Sequence, residues 1–287
     1  MALVAGDAMG LDARNRLPRG NGGGSAPRGP WSLQAALALA SAATLSERGW
    51  DLDDLMARFW RCWDRGDETA DGRVLGAGET TREAILRYGS GAAVLESGIE
   101  DEEATGPGAL PRLYPVALHA AAEDLDEMHL RCRDAAALTH AHERVVECCG
   151  VYGLILRALL EDAPIGEAVE RALEGARGWV SDEARQRIRE AAEGESPPDP
   201  GPDEPVDSAL AAALWCAVGH DDPERVVDAA VERGGRVEVV AAVAGSLIGV
   251  RVGLKGLPVG WLEALPDRRA VRRRAEAFGE VVERRLD

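Results

Sequence analysis

The sequence predicts an all-α protein, and three observations carry this prediction. The chain has only 2 Phe and 3 Tyr, and few segments alternate apolar and polar residues as a half-buried strand does. Apolar residues instead recur at helical spacing through most of its 287 residues. The segment Val237–Val252 is apolar on every side and rich in small residues, which let neighbouring backbones approach closely. This pattern is typical of a central, fully buried helix.

The first predicted helix, residues 32–45, begins at Ser32, a residue type that commonly caps helix N-termini. It places Leu33 and Leu37 near one face, as a packed helix requires. The same spacing predicts further helices at residues 51–65, 80–88, 115–122, 126–138, 143–160, 166–177, 182–192, 208–218, 223–233, 238–253 and 268–286. No repeat of fixed period links them, so a solenoid is not expected.

Two stretches are too rich in Gly and Pro to be helical, residues 20–30 and 193–205. Each is predicted to be a flexible loop. The second could mark a domain boundary, but the apolar helices after it have no obvious partners among themselves. Because they must bury their apolar faces against earlier helices, we expect a single domain spanning residues 1–287.

Acidic and basic residues are strongly unbalanced, with 50 Asp and Glu against 33 Lys and Arg and a formal net charge of −17. Nucleic acids are held mainly by basic patches that neutralise phosphates, so this balance argues against a nucleic-acid partner. Hydrophobic residues form 46% of the chain, enough for a sizeable core. No apolar run approaches the ~20 residues that a membrane-spanning helix needs, so no membrane partner is expected either.

The chain holds five cysteines, an odd number that is scattered along it. This fits buried free thiols in a reducing compartment better than a disulfide framework. The first residues lack the basic start, apolar core and small-residue cleavage site of a secretory signal. Together these features predict a cytoplasmic protein. The adjacent Cys148 and Cys149 point to different sides of a predicted helix, so core packing is expected there rather than a metal site.

His140 and His142 lie between two predicted helices, in the run Thr-His-Ala-His. A His-x-His pair could bind a metal or supply a general acid or base, although no third ligand follows at a zinc-like spacing. The glycine run at residues 20–24 lacks both the Lys-Ser/Thr pair and the preceding strand of a P-loop. A surface loop is expected there instead.

Four motifs follow one another along the chain: Gly-Asp-Ala-Met-Gly at residues 6–10, Gly-Pro-Gly-x-x-Pro-Arg-x-x-Pro at 106–115, Thr-His-Ala-His at 139–142, and Gly-Gly at 234–235 before the apolar helix. In order and spacing they resemble the ADP-ribosylglycohydrolase family, which includes the dinitrogenase reductase-activating glycohydrolases. The resemblance implies an all-α fold, a compact multi-helix orthogonal bundle around a cleft. In that family the cleft holds two Mg²⁺ ions and cleaves the glycosidic bond to ADP-ribose.

Two metal-binding motifs of the family have changed here. Its Trp-Thr-Asp-Asp-Thr reads Trp-Ser-Leu-Gln-Ala at residues 31–35, so Leu33 and Gln34 replace both aspartates. Its Gly-Gly-Asp-Thr-Asp-Thr reads Gly-Gly-Arg-Val-Glu-Val at residues 234–239, so Arg236 replaces one carboxylate. Mg²⁺ requires near-octahedral oxygen ligands that balance its charge. We therefore expect no cofactor, the family's Mg²⁺ pair being lost, and no ordinary metal-dependent ADP-ribosyl hydrolysis.

Two smaller departures from the family pattern point the same way. Arg14 lies near the position where the resemblance implies an acidic residue, and Asp12 is the only nearby substitute. In the glycine-containing loop, Pro107 and Pro111 replace an asparagine and a methionine. The first of these changes removes a polar group, and both prolines stiffen the loop.

The resemblance nevertheless places a ligand cleft on the matching positions. If catalysis remains, the expected catalytic residues are Glu238, His140 and Asp7, with Asp207 a weaker candidate. The expected ligand-binding residues are Arg236, Ser32, Gln34, Gly106, Gly108 and His142.

Three functions remain open for such a cleft. In the first, it binds a nucleotide, an ADP-ribose-like molecule or another small ligand without catalysis. In the second, the protein is a metal-independent enzyme: Arg236 clamps an anionic group such as a pyrophosphate, and Glu238 or His140 acts as general acid or base. In the third, the protein is a non-catalytic scaffold without a pocket. A plainer alternative for Arg236 and Glu238 is a local ion pair at the N-terminus of the buried helix.

Overall fold

The computed structural model describes residues 1–15, 26–196, 200–201 and 203–287. These residues form α1 (Ala2–Arg14), α2 (Leu33–Glu47), α3 (Leu52–Arg65), α4 (Glu79–Gly89), α5 (Leu110–Ala120), α6 (Leu125–Ala137), α7 (Glu143–Leu160), α8 (Ile165–Gly175), α9 (Asp182–Ala192), α10 (Val206–Gly219), α11 (Pro223–Arg233), α12 (Val237–Val252), α13 (Val259–Ala264) and α14 (Arg268–Leu286). Within these ranges no strand occurs, and a single isolated bridge joins Ile99 to His140. The all-α prediction is confirmed.

The helix bounds show where sequence periodicity succeeds and where it fails. The predicted bounds of α7, α9, α11 and α14 are those observed, whereas α1 and α13 were not predicted at all. Helix α5 begins at Leu110, five residues before the predicted start. The sequence predicts a helix start at Pro115, but this residue lies inside α5, where its missing N–H removes one intrahelical hydrogen bond. Pro111, in the first turn, is the proline that suits a helix start.

The two predicted loops are only partly described. Residues 26–30, 193–196, 200–201 and 203–205 are non-helical, in agreement with the prediction. The remainder of both loops lies outside the described residues.

Helix α12 is the centre of the fold, as its uniformly apolar sequence predicts. Its residues are buried continuously from Val237 to Ile248, and it packs against α1, α10 and α11. The crossing with α1 is very close because Gly6 and Gly10 face the α12 backbone. A Cβ atom at Gly10 would lie 2.5 Å from the Cα atom of Glu238. This crossing sets the polar residue between the two glycines, Asp7, beside the first turn of α12.

The five cysteines are free and buried, as their number and spacing predicted. Burial raises the pKa of every one of these thiols above its usual range. Cys148 and Cys149 belong to the apolar core, and among the described residues neither is part of a group of three or more side chains that could hold a metal ion. None of the helices described above is long and apolar enough to cross a membrane.

Candidate functional site

Asp7 anchors one wall of the site from α1. Its side chain is fully buried, and its two oxygens accept hydrogen bonds from Ser32, from the backbone N–H at 2.5 Å and from Oγ at 2.6 Å. Ser32 in turn caps α2, with Oγ accepting from the N–H of Gln34 at 3.1 Å. Burial raises the pKa of Asp7 to about 7, although the bonds from Ser32 oppose that rise. The carboxyl group therefore orders the N-terminus of α2.

Replacing Asp7 by asparagine is expected to change the pH dependence of stability. The pKa of an ordinary aspartate is 3.8, whereas that of buried Asp7 is about 7, so the folded state binds the proton more tightly. Its contribution to the free energy of unfolding is full below pH 4 and declines towards pH 7, by about 1.4 kcal/mol per unit. Urea unfolding between pH 4 and 8 should show the parent losing stability relative to Asp7→Asn, and parallel curves would contradict this account.

Glu238 lies in the first turn of α12 and is 3% exposed. Its Oε1 atom accepts from Nη1 of Arg14 at 2.5 Å, while Oε2 is buried without a hydrogen-bond partner among the described residues. The side chain of Arg14 is half exposed. The suggested local ion pair between Arg236 and Glu238 is therefore not the pair that forms: the cation comes from the last turn of α1.

Arg236 caps the N-terminus of α12 and is half-buried. Its backbone N–H donates to Oε2 of Glu204 at 3.2 Å, and its side-chain Nε is buried without a partner in the described part of the chain. Glu204 is itself buried and pairs with Arg233 at 2.7 Å. The acidic side chain thus ties the end of the loop before α10 to the start of α12, and leaves the Arg236 guanidinium for other partners.

Arg112 is linked to His140 through the hydroxyl group of Thr139. The imidazole Nδ1 lies 2.7 Å from Oγ1 of Thr139, which also receives a hydrogen bond from Nη2 of Arg112. Arg112 is fully buried and donates to the carbonyl oxygen of Gly108 at 2.9 Å. Burial, aided by the charges of Arg112 and Arg236, lowers the pKa of His140 well below its usual range. His140 is therefore neutral at physiological pH.

Gln34 and Gly108 complete the site. The Gln34 side chain donates from Nε2 to Oγ1 of Thr81 at 3.5 Å, while its Oε1 is buried without a partner among the residues described. A Cβ atom at Gly108 would lie 3.0 Å from Nε2 of His140 and 3.2 Å from Oγ1 of Thr81. The glycine therefore leaves free the space between these two polar atoms. A Cβ atom added at Gly106, at the start of the same loop, would meet no atom within 4 Å.

Most of the predicted site residues come together. Hydrogen bonds join Asp7 to Ser32, Ser32 to the backbone of Gln34, and the Gln34 side chain to Thr81, and Gly108 lies beside both Thr81 and His140. Arg236 is near enough to His140, and Glu238 near enough to Asp7, for the charge of each to act on the other group. Leu33, between Ser32 and Gln34 in the chain, is fully buried in an apolar cluster.

Three other acidic or histidine side chains have structural partners. His142 caps α7, accepting from the N–H of Arg144 through Nδ1 at 3.1 Å. Asp207 is fully buried between Arg144, at 2.8 Å, and Arg187. Asp12 accepts from the backbone N–H of Arg28 at 2.7 Å.

Sequence reasoning missed three residues of the site. Arg112 lies within the glycine-containing motif, so the signal was present, but its buried position under Thr139 could not be read from spacing. Thr81 and Glu204 carry no motif, and only the packing of α4 and of the loop before α10 brings them in. Within the described ranges, no group of three or more His, Cys, Asp or Glu side chains is arranged to hold a metal ion.

The family model for ADP-ribosylglycohydrolase matches residues 1–286, and the chain belongs to this family. A solved structure described as an ADP-ribosylglycohydrolase-related protein complex superposes with a TM-score of 0.78 at 30% sequence identity. The match covers 100% of this chain and 95% of that one, so the all-α fold is the fold of the family.

Two curated relatives are each named ADP-ribosylarginine hydrolase Tri1. The protein from Pseudomonas putida (strain GB-1) is 26% identical over 284 residues, covering 92% of this chain and 72% of the relative. The protein from Serratia proteamaculans (strain 568) is 24% identical over 293 residues, covering 96% of this chain and 76% of the relative. The similarity therefore extends along nearly the whole chain.

Proposed function

We propose that this protein binds an anionic, ADP-ribose-like nucleotide in its cleft without Mg²⁺ and does not carry out ordinary metal-dependent ADP-ribosyl hydrolysis. The observation that carries the proposal is a pair of guanidinium groups in the site, on Arg112 and Arg236. Neither has a carboxylate partner among the described residues. An anionic ligand is the natural partner for them.

Arg112 carries a buried charge that no carboxylate among the described residues balances. The side chain is fully buried, and its hydrogen bonds all go to neutral oxygens, of Gly108, Ala136 and Thr139. Burial lowers the pKa of Arg112 to about 10, so the group stays charged at pH 7. A buried charge without a counter-ion is costly. In a chain of net charge −17, two such cations at one site favour a phosphate-bearing ligand.

The donor set does not fit a pair of Mg²⁺ ions. At the positions where the family carries metal-binding aspartates, this chain has the apolar Leu33, the neutral Gln34 and the cationic Arg236. Both oxygens of Asp7 accept from Ser32, and Oε1 of Glu238 is paired with Arg14. Hard divalent cations need several oxygen ligands that together balance their charge. These residues supply too few, which supports metal-independent binding.

Calorimetric titration with ADP-ribose tests the proposal directly. We expect binding with the same affinity in EDTA and in Mg²⁺, and no released product. Replacing Arg236 by alanine is expected to weaken binding about tenfold or more, since charge-assisted hydrogen bonds to phosphate contribute about 1.5–3 kcal/mol. Arg48→Ala, which removes an exposed guanidinium on the C-cap of α2, is the matched control and should bind normally.

Other outcomes of the same titration would overturn the proposal. Binding and turnover that both require Mg²⁺ would restore the ordinary activity of the family. Metal-independent turnover abolished by Glu238→Gln would favour the second candidate, an enzyme using Glu238 as acid or base, for which the unpartnered Oε2 atom is the supporting observation. Absence of any binding would leave a scaffold role.

The relatives' names, the net charge and the cysteines bear on the ligand class and on the location of the protein. The two relatives are named as hydrolases of ADP-ribosylarginine, which supports an ADP-ribose moiety as the ligand of this cleft as well. The strongly acidic charge supports a small-molecule partner rather than nucleic acid. The five buried free thiols support a cytoplasmic location.

A further inference from the structure

We infer that His140 recognises the ligand as a neutral hydrogen-bond donor, presenting Nε2–H to an acceptor oxygen, and that Arg112 and Thr139 fix this tautomer. The inference rests on the proposed function for the identity of the ligand. The tautomer itself depends only on hydrogen bonds within the protein. It assigns His140 a role different from the general acid or base expected from the sequence.

The hydrogen bonds leave one consistent arrangement of protons. A guanidinium group has only donors, so Oγ1 of Thr139 must accept the bond from Arg112. Within the described ranges, the hydroxyl proton of Thr139 then has one acceptor within reach, Nδ1 of His140 at 2.7 Å. The reverse arrangement, Nδ1–H donating to Thr139, would leave a buried hydroxyl proton without an acceptor, which is unfavourable. Nδ1 is therefore the acceptor, and the ring proton is on Nε2.

The backbone holds the ring in place. The N–H of Ile99 donates to the carbonyl of Thr139 at 3.1 Å, and the N–H of Ala141 donates to the carbonyl of Ile99 at 2.9 Å. The N–H of His140 donates to the carbonyl of Ala136 at 2.9 Å. These bonds fix the backbone that carries the ring, and the contact of Nδ1 with Oγ1 of Thr139 orients the imidazole before any ligand arrives.

The space in front of Nε2 is kept open by Gly108, whose missing Cβ would lie 3.0 Å from that atom. Burial and the charges of Arg112 and Arg236 keep the ring neutral, so Nε2–H remains a donor and does not become part of an imidazolium. The ring thus adds a neutral donor beside the Arg236 guanidinium, while the buried Arg112 contributes its positive charge to the site. A ligand oxygen that only accepts, such as that of a phosphate, fits this set of donors.

The tautomer can be measured without any ligand. The chain has five histidines, so long-range ¹H–¹⁵N spectra of the ¹⁵N-labelled full-length protein resolve them, and His140→Asn assigns the signal. We expect the Nε2–H tautomer at pH 7–8. Thr139→Ser retains the hydroxyl and should keep this tautomer, whereas Thr139→Val removes it and should give a mixture. An Nδ1–H tautomer in the parent protein, or no change in Thr139→Val, would overturn the inference.

Binding of ADP-ribose tests the consequence. His140→Gln keeps a side-chain N–H donor and is expected to bind within about threefold of the parent. His140→Phe keeps the ring volume without a donor and should weaken binding about tenfold. Equal affinities for the two variants would contradict the donor role. If the parent does not bind ADP-ribose at all, the proposed function fails, whereas the NMR result still decides the tautomer.

Discussion

Replacing Gly6 by valine is expected to lower the free energy of unfolding by about 3 kcal/mol or more. A Cβ atom at Gly6 would lie 2.9 Å from the carbonyl carbon of Ala241 and closer still to its oxygen. The neighbour is helix backbone, which cannot turn aside as a flexible side chain can. Helices α1 and α12 would have to separate, and the apolar contacts along both would be lost. Urea unfolding followed by circular dichroism measures this change.

Gly219→Ala is the matched control for this prediction. Gly219 is the last residue of α10, and an added Cβ there meets no atom within 4 Å. Because alanine favours a helix over glycine, this variant should be unchanged or slightly more stable, by less than about 1 kcal/mol. Equal free energies of unfolding for Gly6→Val and Gly219→Ala would contradict the close packing of α1 against α12.

Introducing aspartates at the three positions where the family resemblance implies metal-binding carboxylates is expected to create a Mg²⁺ site. The variant Leu33→Asp, Gln34→Asp, Arg236→Asp places three new carboxylates beside Asp7 and Glu238. Without metal it should be less stable than the parent, since buried carboxylates repel one another. With Mg²⁺ at about a hundred times its Kd, its thermal midpoint should rise by about 5 °C, because binding to the folded state stabilises it.

The control for this variant carries asparagine at the same three positions, with nearly the same volume but no charge. Neither the asparagine variant nor the parent should respond to Mg²⁺, which differential scanning calorimetry can measure. A rise in the thermal midpoint of the parent with Mg²⁺ would contradict the metal-independent cleft.

Much of the fold could be predicted from the sequence, and the exceptions have a common cause. Helices with one apolar and one polar face, such as α9 and α11, are predicted by the periodicity of their apolar residues. Helix α1 does not, because it is buried on nearly all sides and contains two glycines that disfavour an isolated helix. It is stable only against α12, where those same glycines allow close packing. Helix α13, six residues long, is too short to show a period.

In the candidate site, too, some features could be predicted from the sequence and others could not. The sequence by itself predicted, from its resemblance to the family's motifs, that Leu33, Gln34 and Arg236 replace metal-binding aspartates, because motif spacing is a property of the chain. Only the tertiary structure decided the pairings: Glu238 meets Arg14, 224 positions away, and Arg112 donates to Thr139, whose hydroxyl contacts His140. Such pairs depend on how helices cross and on which charges burial leaves without water, and neither is encoded in local spacing.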